Sequence, residues 1–359
     1  MIRDVRLQQF RSYREAAYEF DDGVNIVVGP NASGKTNLLE SILVLLTGAS
    51  YRVQTDAELI SFGADWARLD GMTESTARTI KIERLDESRT AKSYIIDDKP
   101  FKRLSDNHTE PVVVFEPEHM LLLTAQPQLR RTYMDALLCR TVPGYTKSLA
   151  HYKRALAQRN MLLKQGRQAV ASQGFIWNVR LSDLGGFIAA ARFALIDQMA
   201  ALASETYSRL ADKTSEVRFA YKTPFSAEAY SSQLMKTLES SLDKDLLRGF
   251  TSYGPHREDL TVLLNGNVAS EAASRGETRT LLLTLKVLEL QLLEQVVNRK
   301  PVLLLDDVFS ELDGARRRAL ATALRGYQTF ITTTDADVVI HHFMNDCTII
   351  PTGGGNESA

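Results

Sequence analysis

The run Gly29-Pro30-Asn31-Ala32-Ser33-Gly34-Lys35-Thr36 has the glycine, lysine and threonine spacing of a loop that cradles nucleotide phosphates. Chemistry accounts for each fixed position. Gly29 and Gly34 let the backbone turn tightly and bring amide N–H groups against an anion with no Cβ in the way. Lys35 is long enough to reach the β- and γ-phosphates of ATP, and the Thr36 hydroxyl suits Mg²⁺. Pro30, Asn31, Ala32 and Ser33 complete the loop.

Such a loop needs a carboxylate from a neighbouring strand to hold the metal. The apolar run Val302-Leu303-Leu304-Leu305 ends in Asp306 and Asp307. Asp306 is the candidate metal ligand, and Asp307 either orients the attacking water or merely caps the strand. A third segment, Ser274-Arg275-Gly276-Glu277, has two readings. Serine followed three residues later by glutamate is a capping box. Yet Gly276 opens the backbone, and a helix start with Ser274 and Arg275 nearby is also a second anion site. If the two helix starts point to separate faces, one nucleotide needs both of them only when two subunits meet about a two-fold axis.

The elements that must position these groups are legible from periodicity. Val24–Val28 reads as a strand, with a helix from Lys35 to about Leu46 that stops at Gly48. Alternation at 67–72, 77–85 and 92–96 predicts an antiparallel sheet beside the nucleotide core. Further strands are expected at 112–115, 260–264, 302–305 and 329–333, with a long helix at 277–298. Helical spacing fills 121–138, 149–163, 181–210 and 227–247, with Gly144, Gly174 and Gly185-Gly186 as breaks. The predicted fold is α/β, with residues 1–117 and 250–351 forming an ATPase lobe, 118–249 an inserted, mainly helical lobe, and 352–359 a loose tail.

The chain has 359 residues, 44% of them hydrophobic and 24% charged, with a formal net charge of −1. That composition excludes disorder as the default. With no net positive field, nucleic-acid binding requires a local patch. Nine Lys or Arg against one acid between Gln126 and Arg167 supply a candidate, from which Arg130, Arg131, Lys153 and Arg154 are singled out, with Arg257 in a Gly-Pro-His-Arg turn. The alternative is a solvated helix face. The two cysteines, Cys139 and Cys347, and the six histidines have no metal-ligand spacing. The first ten residues lack the apolar stretch of a signal peptide, and no run of about twenty uncharged apolar residues occurs, so a cytoplasmic protein without a membrane partner is expected.

The ordered set of motifs resembles the ATPase heads of the ABC and SMC type, and within them the RecF family over nearly the whole chain. The residues that carry the resemblance are Phe10-Arg11-Ser12-Tyr13, the phosphate loop continued as Lys35-Thr36-Asn37-Leu38-Leu39-Glu40, Ser50-Tyr51-Arg52, Phe115-Glu116-Pro117-Glu118, Pro127 with Arg130-Arg131, Gly254-Pro255-His256-Arg257-Glu258-Asp259, and Leu304 to Asp313. It implies an SMC-like head with a short helical domain, Lys35 and Thr36 in Walker A with Asn37 beside them, Asp306 in Walker B, Ser274 to Gly276 as signature, and Ser310 to Asp313 as D-loop. It further implies an ATP-dependent homodimer that binds double-stranded and gapped DNA, hydrolyses ATP weakly, and works with RecR and RecO to load RecA at gaps and arrested forks. The alternative is the head of another SMC- or ABC-type assembly. Three departures point to slow turnover or altered contacts. The signature reads SRGETR rather than SQGQQR, Glu116 and Glu118 stand where a Q-loop glutamine belongs, and Thr334 or Asp335 replaces the switch histidine. Asp307 is also one methylene shorter than the glutamate common in such heads.

Overall fold

The computed structural model describes residues 1–86, 89–105, 108–116, 119, 121–343 and 347–353. Pro117, Glu118, the domain boundary between them, and the end of the expected loose tail from 354 onward lie outside these residues. The chain forms two compact units, Met1–His119 with Glu289–Ala359, and Met120–Leu288.

In chain order the first segment carries β1 (Asp4–Phe10), β2 (Tyr13–Glu19), β3 (Val24–Val28), α1 (Lys35–Thr47), β4 (Trp66–Met72), β5 (Ala77–Arg84), β6 (Thr90–Ile96), β7 (Lys99–Phe101) and β8 (Val112–Phe115). The middle segment carries α2 (Leu121–Thr124), α3 (Pro127–Thr141), α4 (Tyr145–Gln165), α5 (Arg167–Ala211), β9 (Val217–Lys222), α6 (Tyr230–Ser240), α7 (Leu242–Arg248), β10 (Asp259–Leu264), β11 (Asn267–Val268) and α8 (Ala269–Ala272). Then follow α9 (Arg275–Val297), β12 (Val302–Leu305), α10 (Gly314–Ala323), β13 (Thr329–Thr333), α11 (Ala336–Phe343) and β14 (Cys347–Pro351).

The first unit stacks α1 between two sheets. One is parallel, in the order β14-β3-β13-β12-β8; the other runs β2-β1-β4-β5-β6-β7 and its pairings are antiparallel. The apolar β12 and the Thr-rich β13 are buried throughout, as strands covered on both faces are. In β5 burial alternates, so Arg78, Ile80 and Ile82 face inward. Those isoleucines join Leu7 and Leu69 in one core with Leu38, Ile42 and Leu45 of α1. Gly48 ends α1 in a left-handed conformation with φ 75°, its N–H returned to the Val44 carbonyl.

Register decides where chemistry can occur. Leu305 pairs with Phe115 and Ile331, and Thr333 with Val28, so the carboxyl ends of β3, β12, β13 and β8 finish together. Ligands of open parallel sheets bind at this edge.

In the second unit α4 and α5 are joined through Gly166, and α5 packs on α4, α6 and β9. Gly174 and Gly185-Gly186 do not break the helix, contrary to expectation: α5 runs through all three. A Cβ on Gly185 would meet Leu234 at 2.9 Å, and one on Gly186 would meet the Ser231 hydroxyl at 1.9 Å, so these glycines allow α6 to approach closely. Gly144, by contrast, does cap a helix, with φ 80° before α4. Residues 250–288, read from sequence as part of the ATPase lobe, cluster with the helices instead. The reason is a three-stranded sheet, β11-β10-β9, in which β10 pairs along its length with β9, a strand absent from the periodicity reading.

Buried charge in this unit also revises the sequence reading. Arg159, counted among the basic candidates, is wholly buried and bonds Asp245 at 2.7 Å, Asn178 and Thr251 at 2.8 Å, and the Leu238 carbonyl at 3.0 Å. His256 sits between the Tyr152 hydroxyl at 2.7 Å and the Thr251 carbonyl at 3.1 Å. Burial pushes its pKa down to about 4, with Arg257 and Arg131 adding to the shift. An unfolded histidine takes up a proton near pH 6.5, whereas the folded one stays neutral until about pH 4. Stability therefore falls as pH drops through this window. Urea denaturation from pH 7 to pH 4 is expected to show wild type losing about 3 kcal/mol more than His256→Gln.

Candidate nucleotide site

The phosphate loop joins β3 to α1 at the carboxyl edge of the parallel sheet. Ala32 and Gly34 take positive φ values of 66° and 96°, so the backbone alternates in hand and turns its amides into the curl. Pro30, Asn31 and Ala32 are exposed at the tip. A Cβ on Gly34 would meet the Tyr13 hydroxyl at 2.8 Å; that hydroxyl donates to the Gly34 carbonyl at 3.1 Å and braces the loop from the β1–β2 turn. Burial raises the Tyr13 pKa, which keeps this donor protonated. Behind Gly29 a Cβ would meet the Thr352 hydroxyl at 2.5 Å.

Thr352 corrects the loose-tail reading. It is buried, its N–H bonds the Val28 carbonyl at 2.8 Å, and its hydroxyl lies 2.8 Å from that of Ser33. The residue following β14 is thus part of the wall of the loop.

The Lys35 ammonium donates to the carbonyls of Gly29 and Pro30, each at 2.8 Å, which holds it across the loop. The Thr36 hydroxyl donates to Asp306 Oδ1 at 2.9 Å, joining residues 270 positions apart in sequence. Two oxygens so close, one of them a carboxylate, form the hard donor set that Mg²⁺ prefers, with phosphate and water left to complete the octahedron. Asp307 is exposed, with φ 53°, and its carboxylate accepts from the Ser310 hydroxyl at 2.5 Å. Asp313, at the end of the expected D-loop, caps α10 by accepting from the Arg316 N–H at 2.9 Å.

Around the start of α1 lies an ion cluster that no spacing in the sequence reveals, although its members belong to three of the motifs above. Glu40 is wholly buried and takes two bonds from Arg11, at 2.8 and 2.9 Å, one from Arg52 at 2.8 Å and one from Ser50 at 2.6 Å. Asn37 receives Arg52 at 3.2 Å and donates to the Ser12 hydroxyl at 2.8 Å. The motifs at 10–13, 37–40 and 50–52 are therefore one structure, in which a buried carboxylate with several donors fixes the β1–β2 turn and the segment after α1 against the helix. Beside it, desolvation and the charges of Glu116 and Asp306 hold the Tyr51 pKa above its usual value.

In the second unit, Ser274 and Arg275 are exposed at the start of α9. The Ser274 N–H and hydroxyl both donate to Glu277 Oε2, at 2.9 and 2.8 Å, so the capping-box geometry is present. Gly276 lies within the first turn of α9.

The basic candidates separate. Arg130 is 11% exposed and makes a bidentate pair with Asp259, at 2.7 and 2.8 Å, while also bonding the carbonyls of Leu122 and Ala125. Its role is internal, and it does not offer a free guanidinium to DNA. Half-buried Arg131 bonds the Glu258 carbonyl at 3.0 Å and Gln128 at 2.8 Å. Lys153 and Arg154 are exposed on α4. Arg257 is also exposed and stacks on Phe250, 4.5 Å from the ring centroid.

Fold and site together define an ATPase head of the ABC and SMC type. The family model described as RecF/RecN/SMC N terminal domain matches residues 1–349. The DNA replication and repair protein RecF of Heliobacterium modesticaldum is 34% identical over 342 residues, covering 93% of this chain and 92% of that protein. The protein of the same name from Bacillus cytotoxicus is 32% identical over 365 residues, with 99% and 97% covered. A solved structure described as the recombination mediator protein RecF-ATPrS in the RecFOR pathway superposes with a TM-score of 0.83 at 29% identity, covering 98% and 96% of the two chains. An Smc head bound to a winged-helix domain of ScpA shares the fold, at TM-score 0.55 and 16% identity. The chain belongs to the RecF family.

Proposed function

We propose that this protein is an ATP-dependent DNA-binding recombination mediator that dimerises on ATP and, with RecR and RecO, promotes RecA loading on gapped DNA and at arrested forks. The observation that carries the nucleotide part is the Thr36–Asp306 contact of 2.9 Å, which joins the phosphate loop to the acidic strand end. RecF relatives solved with ATP and an ATP analogue support the same ligand here.

In this reading the backbone N–H groups of the loop 29–34, Pro30 apart, and the N-terminus of α1 receive the phosphates, and Lys35 turns from its loop carbonyls to the β- and γ-oxygens. Thr36 and Asp306 would hold Mg²⁺, which when bound neutralises charge on the phosphates. Asp307 orients the attacking water, and its engagement by Ser310 fits slow hydrolysis, which resets the complex. Ser274, Arg275 and Gly276 of a second copy face the γ-phosphate, so each nucleotide is enclosed by two chains. Within the two-lobe organisation, the helical unit supplies the DNA surface through exposed Lys153 and Arg154, with Arg131 and Arg257 beside them. The protein is cytoplasmic.

DNA binding is tested by reversing the two exposed charges. Lys153→Glu/Arg154→Glu is expected to weaken binding to all sequences and to lower the slope of log K against log salt by about 0.9 for each phosphate that the variant no longer neutralises. ATP-driven dimerisation and base preference stay unchanged. Fluorescence anisotropy on duplex and gapped DNA at several salt concentrations reads this out. A wild-type slope and affinity would make α4 a solvated face. Reversal of Arg130 is no substitute, because it would place two carboxylates together at Asp259.

A further inference from the structure

Thr332 lies in the expected strand 329–333, within the segment Phe330-Ile331-Thr332-Thr333-Thr334-Asp335, with no role assigned to it from the sequence, and it touches both aspartates. Because Leu305 pairs with Ile331, the next residue of β13 comes level with Asp306 just beyond the end of β12. Thr332 is wholly buried there. Its hydroxyl donates to Asp306 Oδ1 at 2.7 Å and accepts the Asp307 N–H at 2.8 Å.

A hydroxyl has a single proton, so the direction of this relay is fixed. The backbone N–H of Asp307 can only donate and therefore takes a lone pair of the Thr332 oxygen. The Thr332 proton is thereby left for the Asp306 carboxylate. Asp306 Oδ1 also accepts from Thr36 at 2.9 Å, so the two threonines reach the same oxygen from different parts of the chain and fix the carboxylate plane between them. On the other side, Asp307 holds φ 53°, a conformation that L side chains rarely adopt. Thr332 anchors its N–H, and the Ser310 hydroxyl shares its one proton between the Asp307 carbonyl at 2.7 Å and carboxylate at 2.5 Å.

Strand packing alone does not require a hydroxyl here; what uses it is the pair of aspartates. The strand demands a β-branched residue of this volume, and valine would fill the space. It would leave the Asp307 N–H without its acceptor and Asp306 with one donor fewer.

We propose that Thr332 is a positioning residue of the nucleotide site: its hydroxyl sets the Asp306 carboxylate towards Thr36 and couples it to the backbone of Asp307, and so sets the affinity for Mg²⁺ with ATP. The inference rests on the reading of Asp306 as the Mg²⁺ ligand. Outer hydrogen bonds to a ligating carboxylate affect metal affinity by about 10- to 100-fold when removed.

The test is calorimetric titration of ATP into the full chain at Mg²⁺ concentrations from none, in EDTA, upward. Thr332→Val is expected to bind metal-free ATP within about twofold of wild type, but to need at least about tenfold more Mg²⁺ for half of the metal-dependent gain in affinity. Thr332→Ser, which restores the hydroxyl without the methyl, is expected to return the midpoint to within about threefold. If Thr332→Val does not fold, Thr332→Ala replaces it, since alanine lacks the same hydroxyl and fits any strand. A wild-type Mg²⁺ midpoint in the valine or alanine variant overturns the proposal, as does a serine variant that fails to restore it. Asp306→Asn separates the two layers. If Asp306→Asn shifts the midpoint and Thr332→Val does not, Thr332 alone loses its role. If neither shifts it, the metal-site reading fails and the inference fails with it.

Discussion

Lys35→Met is expected to weaken ATP binding by about 100- to 1000-fold and to remove ATP-dependent association. The lysine is the one side chain in the loop whose charge can follow the phosphates, and two charge-assisted bonds in a partly dry site contribute about 3 to 4 kcal/mol. The protein should otherwise remain intact. Among the described residues Lys35 bonds the carbonyls of Gly29 and Pro30, both in a solvent-accessible loop, so its loss strands no buried partner there. Calorimetry with ATP and a thermal melt check the two halves of the expectation. Unchanged ATP affinity in a folded variant would remove Lys35 from the site.

Ser274→Arg is expected to separate binding from dimerisation. ATP affinity of the isolated chain should stay within about threefold of wild type, while the ATP-induced dimer is lost, since a long side chain fills the space that a partner's γ-phosphate requires. The substitution also removes a helix cap, which costs about 1 kcal/mol. Ser274→Ala isolates that cost: it loses the hydroxyl bond to Glu277 but leaves the space open, and it should still dimerise. Light scattering that shows both variants dimerising would reduce Ser274 to a capping residue. If instead both fail equally, the cap and not the space is what dimerisation needs.

Much of the site is legible in the sequence because its parts are local. The strand, loop and helix from Val24 to Thr47 are contiguous, and each carries its own signal in β-branched residues, glycines and apolar spacing. Asp306 is legible for a related reason. A four-residue apolar run fits an interior strand, and the first carboxylate after it must emerge at the sheet edge. What the sequence hides is set by partners far along the chain. Arg130 and Arg159 read as available cations until Asp259 and Asp245, which lie 129 and 86 positions away, neutralise them. Thr332 reads as an ordinary strand residue because its two acidic neighbours follow another strand. Gly185 and Gly186 are breakers by type, and only the approach of Leu234 and Ser231 shows why a helix keeps them. Thr352 opens a Gly-rich stretch that looks unstructured, yet β14 pairs with β3 up to the residue before it and delivers it to the loop.

The function proposed for this chain depends above all on ATP joining two copies of it through half-sites carried on separate units. Sedimentation velocity on the full chain with Mg²⁺ and a slowly hydrolysed ATP analogue tests that dependence directly. A monomer is expected without nucleotide and a dimer with it, holding two nucleotides per pair, and no dimer is expected for Lys35→Met or Ser274→Arg under the same conditions. A wild-type chain that binds the analogue at saturation and still sediments as a monomer across the accessible concentration range would contradict it.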